Sequence, residues 1–367
     1  MTGLYVHVPF CARKCDYCDF YSLAKSEGQI HGYVEAVLAE AKHYQGLSFD
    51  TIYFGGGTPS LLGPENLEKL YSGLRKTFGF EKILEATIET NPESLTEQFA
   101  LSARNCGFDR VSIGIQSLND GELQSVGRIH NSKKAIDAIS IANRHFKRVS
   151  ADLIIGLPGQ TKSSLLSTLS KFVEFGLKHI SAYCLLVEEG TKLHQNMPDN
   201  LPSDDEQADL FEQCRDFLIS KNFRHYEISN FATSGKESLH NINYWECGEY
   251  LGLGPGASSH LDGIRFKNEE NLDKYINNPI SCKFIEEKLG PEDKIFEEAM
   301  LNLRLLETGT NPDLLAQRYD PESISKLQDR LDELVQDDKL EKSGNVYTIN
   351  PSFVLVSNPI FSKILNG

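Results

Sequence analysis

No stretch of this chain approaches the roughly 18 consecutive apolar residues of a membrane span, although 40% of its 367 residues are hydrophobic. Membrane insertion is therefore not expected. Basic residues are also short, with 37 Lys and Arg against 52 Asp and Glu and a formal net charge of -15. A sequence-independent grip on nucleic acid needs clustered positive charge, so nucleic acid is not an expected partner. Docking to anionic lipid is disfavoured on the same ground. No basic-then-apolar leader pattern precedes the first candidate strand, and the expectation is a cytoplasmic protein with reduced thiols. Cysteine is too sparse for a disulfide scaffold, at eight residues. Five of these, Cys106, Cys184, Cys214, Cys247 and Cys282, are scattered through ordinary core and helix patterns and read as small buried hydrophobes. Internal repeats and low-complexity segments are absent as well.

The other three cysteines are not scattered. Cys11-Ala-Arg-Lys-Cys15-Asp-Tyr-Cys18 follows directly on the apolar run Leu4–Val8. A cubane 4Fe–4S cluster has four irons and is ordinarily closed by four thiolates. Three thiolates leave one iron open to an exogenous ligand, so the missing fourth is itself informative. The alternative is a structural zinc with His7 as fourth ligand, because zinc accepts three thiolates and one imidazole. Zinc knuckles, however, usually pair two short cysteine hairpins, and only one compact group is present. Arg13 and Lys14 are the nearby charges that would favour thiolates.

Around the triad, short β-rich runs alternate with helical patterns, which implies parallel strands joined by helical crossovers. Candidate strands are Leu4–Val8, Thr51–Phe54, Glu85–Thr90, Arg110–Ile115, Ser150–Ile155 and His179–Leu186. Ile30, Val34, Val37, Leu38 and Ala41 mark one face of a helix, and Pro64 opens the next. Six such units are fewer than the eight of a closed barrel. Several strands end in ligand-like residues: the cysteine loop, Gly55-Gly56-Gly57-Thr58-Pro59, Glu89 and Gln116. Asp152 lies within the fifth strand, before Gly156-Leu157-Pro158-Gly159. In parallel α/β architectures, sites lie at the carboxyl ends of strands, so all of these converge on one rim. The alternation fails after about Glu188. Residues 190–203 read as a linker or lid, 204–221 as a helix, His225–Ile228 as a strand and Leu251–Gly256 as a tight turn completing the sheet. From about Pro291 an amphipathic helix (Ile324, Leu327, Leu331, Leu334, Val335) and a hairpin over Leu340–Ile349 suggest a winged-helix-like α+β unit. Its acidic surplus points to packing or partner docking rather than DNA. The expected division is 1–188 for the barrel, 189–290 for a linker with extra strands, and 291–367 for the C-terminal domain.

The cysteine spacing, three intervening residues and then two, resembles that of radical SAM proteins, whose open iron takes the amino and carboxylate groups of S-adenosylmethionine (SAM). With the glycine run and the acidic and amide residues in order, residues 1 to about 290 resemble the radical SAM coproporphyrinogen oxidase family and its relatives, and a matching C-terminal extension follows. The family's decarboxylase, which oxidises coproporphyrinogen III without oxygen, carries CxxxCxxCxC. Phe20 stands here where its fourth cysteine falls, and the segment before that enzyme's first strand is lacking. These departures, the Cys18-Asp19-Phe20 segment and His240-Asn241-Ile242-Asn243-Tyr244-Trp245, which holds the only tryptophan, resemble the family's heme-chaperone branch (HemW-like).

The resemblance implies an α/β fold built on a partial, TIM-like (β/α)6 barrel with a small C-terminal domain. It implies a 4Fe–4S cluster on Cys11, Cys15 and Cys18, and SAM contacts from Tyr5, Tyr17, Gly56, Gly57, Thr58, Glu89, Gln116, Arg128 and Asp152. Heme contacts fall to His240, Asn241, Tyr244 and Trp245, and the implied partners are heme and heme-acceptor apoproteins, chiefly respiratory. The decarboxylase activity is the alternative function. No catalytic residue is assigned, and SAM cleavage and a homodimer stay open. The residues also admit plainer readings. The glycines could merely turn the chain, Glu89 could cap the next helix, and Gln116 and Asp152 could satisfy backbone at the rim. His240 could be a satisfied histidine beside packed aromatics. In favour of heme, an imidazole can ligate its iron and flat apolar walls suit its ring.

Overall fold

The architecture follows from one pattern, a period of two along parallel strands. The computed structural model describes residues 1–24 and 27–366. Strands β1 (Thr2–Val8), β2 (Thr51–Gly56), β3 (Glu85–Thr90), β4 (Arg110–Gln116), β5 (Arg148–Ile155) and β6 (His179–Cys184) pair parallel in chain order. All six expected strands are present. The last stops at Cys184, two residues before the sequence pattern suggested.

One side of each strand is apolar and buried: Leu4, Val6 and Val8 on β1, Ile52 and Phe54 on β2, Val111, Ile113 and Ile115 on β4. The crossover helices cover this side, for example Glu27–His43, which buries Ile30, Tyr33, Val34, Val37 and Ala41. The alternate residues are of the other kind. Tyr5 pairs in register with Tyr53, Tyr53 with Thr87, Glu89 with Ser112, and Asp152 with Ser181. Because side chains alternate across a strand, these residues share the concave side. Closed (β/α)8 barrels fill that side with layers of branched apolar side chains; here it is aromatic, hydroxylic and acidic. A lumen of this composition suits a polar ligand better than a packed core.

The sheet continues beyond the six strands at both ends. Strands β7 (Arg224–Glu227), β8 (Asn230–Ala232), β9 (Glu249–Leu253), β10 (Ser258–Leu261), β11 (Ile264–Asn268) and β12 (Lys283–Lys288) complete a twelve-stranded order β12-β11-β10-β9-β1-β2-β3-β4-β5-β6-β8-β7. The stretch read as a tight turn, Leu251–Gly256, supplies the end of β9, which pairs parallel with β1. It then turns at Gly254, where a side chain would lie 2.5 Å from the His7 carbonyl oxygen. The 190–203 segment is tied down. Leu193 donates to the Asp16 carbonyl at 2.7 Å and Gly159 to that of Asn200 at 2.8 Å.

Residues 291–366 form helices Pro291–Asn302, Pro312–Leu315, Pro321–Gln336 and Asn358–Asn366, with a hairpin of β13 (Leu340–Ser343) and β14 (Val346–Ile349). Their apolar faces pack on one another through Ile295, Ala299, Leu327, Leu331 and Ile364. The unit meets the rest where the Arg304 guanidinium lies 4.4 Å over the Trp245 ring and Asn302 donates to the Trp245 carbonyl at 2.9 Å. Among the described residues, no helix is long and apolar enough to cross a membrane.

Candidate functional site

The cysteine loop leaves β1 at the top of the lumen. Cys11, Cys15 and Cys18 are each half-buried, and the loop is pinned by Asp16 donating to the Val126 carbonyl at 3.1 Å. Two of the three sulfurs have donors aimed at them. Thr58 offers its hydroxyl to Cys11 Sγ at 3.7 Å, and Arg128 Nη1 lies 3.3 Å from Cys15 Sγ. A thiolate is an acceptor without a proton of its own, so this is the donor arrangement that charged sulfur requires. Burial pushes the Cys11 and Cys18 thiols up, Cys18 to about 11. Metal binding must therefore supply the deprotonation. Arg13 and Lys14, the charges nearest in sequence, are exposed, and Lys14 donates instead to the Phe20 carbonyl.

Behind the two donors stands a residue that sequence reasoning passed over. Asn91 Nδ2 donates to Thr58 Oγ1 at 2.9 Å, and its Oδ1 accepts from Arg128 Nη2 at 2.8 Å. One amide thus orients both groups that face sulfur. Asn91-Pro92 reads in sequence only as punctuation after a strand. The Arg128 guanidinium also binds the Gly114 carbonyl. Burial opposes its charge, but Tyr17, Cys15 and Glu93 hold its pKa above the usual range. Gly57 lets the chain close on the loop, since a Cβ there would stand 2.7 Å from the Phe10 carbonyl oxygen and 2.8 Å from that of Val8.

These observations fit a three-thiolate cubane, and His7 is not free to complete a zinc site. The His7 ring is committed at both nitrogens, to Tyr5 Oη at 3.0 Å and to the Tyr21 carbonyl at 2.9 Å. Among the described residues, no three His, Cys, Asp or Glu side chains gather about a single ion. A cubane instead needs its thiolates spread over separate irons.

The lumen below the loop carries two carboxylates. Glu89 accepts from Tyr53 Oη at 2.6 Å and from the Gly56 N–H at 3.2 Å, and desolvation pushes its pKa up to about 7. The helix after β3 is capped by Thr96, so capping does not explain Glu89. Asp152 accepts from Ser112 at 3.0 Å, and burial likewise raises its pKa. Among the described residues neither carboxylate is in a salt bridge, charge without a counter-ion is costly in a low-dielectric lumen, and a cationic ligand would relieve that cost. Gln116 is buried with φ of 68° just past a bulge in β4. A non-glycine residue in that conformation costs about 1–2 kcal/mol, the kind of strain that gathers at ligand sites. Tyr5 faces the same lumen. Tyr17 packs on the apolar group of Val126, Leu157 and Leu193 beside Arg128.

The second sequence signature forms the helix Leu239–Trp245. Buried Glu85 accepts the N–H groups of Leu239 and His240 at 3.2 and 3.1 Å, which anchors the helix start. His240 is 1% exposed, stacks on Tyr53 at 5.1 Å, and is bonded through Nδ1 to Thr51 Oγ1 at 2.8 Å and through Nε2 to Tyr244 Oη at 2.9 Å. Burial lowers its pKa to about 3. Asn241 is half-buried. Tyr244 and Trp245 reach a cleft of about 510 Å³ that opens beside Tyr5. Phe20 and Tyr21 from the cysteine loop form another wall, and Tyr250, His260 and Lys267 rise from β9, β10 and β11. Cys247 also lines it, whereas Cys214 and Cys282 are buried as expected.

Comparison with known proteins agrees with this arrangement. Residues 5–172 match the Radical SAM superfamily. The chain is 36% identical to the heme chaperone HemW of Lactococcus lactis over 83% of this chain and 81% of that protein. It is 32% identical to the heme chaperone HemW of Haemophilus influenzae over 99% and 97%. Its fold matches that of the coproporphyrinogen III oxidase HemN from Escherichia coli, a radical SAM enzyme, with a TM-score of 0.88 and 21% identity over 100% of this chain and 90% of that one. A polar-lined partial barrel, a three-cysteine loop at its rim and relatives aligned from end to end together place the chain in the HemW family of the radical SAM superfamily.

Proposed function

We propose that this chain is a 4Fe–4S and SAM-binding heme chaperone that takes up heme and delivers it to heme-dependent apoproteins, respiratory ones foremost. The observation that carries the reading is the Asn91 arrangement, in which one amide aims a hydroxyl and a guanidinium at two sulfurs of a loop that offers only three thiolates. A cluster so held keeps one iron available to the amino and carboxylate groups of SAM. Gly56 and Gly57 allow close backbone approach, Glu89 and Asp152 face the ligand's positive charge, Gln116 and Arg128 suit its carboxylate, and Tyr5 and Tyr17 flank it. Tyr244 and Trp245 give the heme an aromatic wall. His240 serves that wall by fixing the Tyr244 hydroxyl. In this reading the chain divides into a barrel over 1–188, a linker with extra strands over 189–290 and a C-terminal domain over 291–367.

Anaerobic reconstitution of the full chain with iron and sulfide tests the reading, followed by parallel challenges with heme and coproporphyrinogen III. The expected result is a brown protein with one cubane per chain, stoichiometric heme uptake and no vinyl product. Stoichiometric zinc without labile sulfide, or turnover of coproporphyrinogen, would overturn it.

A further inference from the structure

We infer that the cleft beside the lumen is the heme seat and that His260, outside both sequence signatures, is the side chain that ligates the heme iron; this rests on the heme-chaperone reading above. The cleft is the lateral continuation of the concave sheet face past β1. Tyr250 pairs in register with His260, and His260 with Arg265. The register sets an aromatic ring, an imidazole and a guanidinium in one row across β9, β10 and β11.

Three histidines stand at or near this region, and their bonding separates them. His240 and His7 each have both ring nitrogens engaged. His260 lines the cleft and, among the described residues, neither of its ring nitrogens is held in a hydrogen bond of this kind, although the nearby Gly248 carbonyl favours its N–H. An imidazole with a nitrogen not committed to protein can ligate iron, and a backbone carbonyl beside its other N–H is the kind of partner that metal-binding histidines use. Cys247, the other soft donor in the cleft, is less suited. Burial and then the Glu298 and Glu297 carboxylates oppose its thiolate.

The rest of the cleft suits a flat macrocycle with anionic edges. Phe20 is 66% exposed, an unusual state for an aromatic ring in a defined loop, and it faces the cleft. Trp245 and Tyr244 stand on another wall. Lys267 and Arg265 supply cationic groups, although Lys267 is already paired with Glu270 at 2.8 Å and Arg265 with two carboxylates, Glu297 and, at 3.3 Å, Glu287. A propionate would therefore compete with an existing pair rather than meet a bare charge. At about 510 Å³ the space lies in the range of cofactor pockets, roughly 300–1,000 Å³. Phe20 touches cluster loop and cleft alike, so the cargo would sit against the loop that holds the cysteines.

The test is hemin titration of full-length wild type, His260→Ala, His260→Gln and His240→Phe, followed by absorption and electron paramagnetic resonance. Folding is monitored by circular dichroism. In wild type the expectation is one site with a nitrogen-ligated signature. Both His260 variants should bind at least tenfold more weakly and lose that signature, and added imidazole should restore it in His260→Ala. His240→Phe should bind more weakly, because the Tyr244 wall is no longer fixed, yet keep the nitrogen-ligated signature. Folded His260 variants with wild-type affinity and spectrum would overturn the assignment, as would loss of the signature in folded His240→Phe alone. Failure of wild type to take up hemin would instead overturn the chaperone reading beneath it.

Discussion

The two signature segments, 220 residues apart in the chain, are built on opposite principles. At the cysteine loop the reactive atoms are half-exposed, and donors from two other segments, Thr58 and Arg128, point at them. At the Leu239–Trp245 helix the conspicuous reactive atom, the His240 imidazole, is 1% exposed with both nitrogens bonded to protein. The first segment presents its chemistry. The second consumes its own in holding Tyr53, Thr51 and Tyr244 together, and offers only its aromatic end to the cleft. On the proposal above, a signature marks where a ligand lies without containing the atom that binds it.

The largest effects that would break this contrast lie on the presenting side. Replacing any one of Cys11, Cys15 or Cys18 with Ala should abolish the cluster while leaving the fold, since the sulfurs carry little packing. Iron and labile sulfide analysis after reconstitution reads the first point, and circular dichroism the second. A variant that retains a full cluster would show that its thiolate is not a ligand.

Arg128→Leu comes next. It leaves the Asn91 and Gly114 acceptors without their charged donor, and hydrogen bonds to charged groups are worth about 1.5–3 kcal/mol. The expected outcome is a destabilisation of about 2–3 kcal/mol in denaturant unfolding, with lower cluster occupancy. Unchanged occupancy would reduce Arg128 to a structural residue.

On the consuming side, His240→Phe keeps the ring and strands the hydroxyls of Thr51 and Tyr244. Two buried groups left unpaired cost about 2–4 kcal/mol together, so the thermal midpoint should fall clearly. A neutral result would mean that the histidine is not held as described and would restore it as a candidate ligand.

The remaining effect is pH-dependent and sharpens the picture of the lumen. Glu89 has its pKa raised from an ordinary 4.5 to about 7. Between those values the native state keeps a proton that the unfolded chain releases, so this contribution is complete below about 4.5 and is lost as pH rises through about 7. The stability difference between wild type and Glu89→Gln should therefore shift against wild type across that window. A bound cation favours the carboxylate, so SAM affinity in wild type should rise with pH over the same range. Flat profiles for both would remove Glu89 from the ligand site.

Much of this was legible in the sequence, for physical reasons that also explain what was not. The six core strands could be read because their apolar faces recur every second residue and helices intervene. The cysteine loop could be read because its thiols are local, three within eight residues. Asn91 was hidden because its partners, Thr58 and Arg128, lie 33 and 37 residues away and an Asn-Pro pair looks like a turn. The commitment of His240 to Thr51, 189 residues distant, leaves no local trace. His260 was passed over because nothing in Ser258-Ser259-His260 resembles a motif, and only pairing between β9 and β10 brings it to the cleft. The glycines of Leu251–Gly256 suggested a turn and concealed a strand, since Gly252 lies against the Ser258 backbone too closely for any side chain.

The most direct test is electron paramagnetic resonance of the reduced, oxygen-free, reconstituted chain before and after addition of SAM labelled at its amino nitrogen and carboxylate. The expected result is a 4Fe–4S signal whose shape changes on addition and which acquires hyperfine coupling to both labels. A cluster signal indifferent to SAM, or one already closed by a fourth protein ligand, would contradict a three-thiolate site with an iron held open.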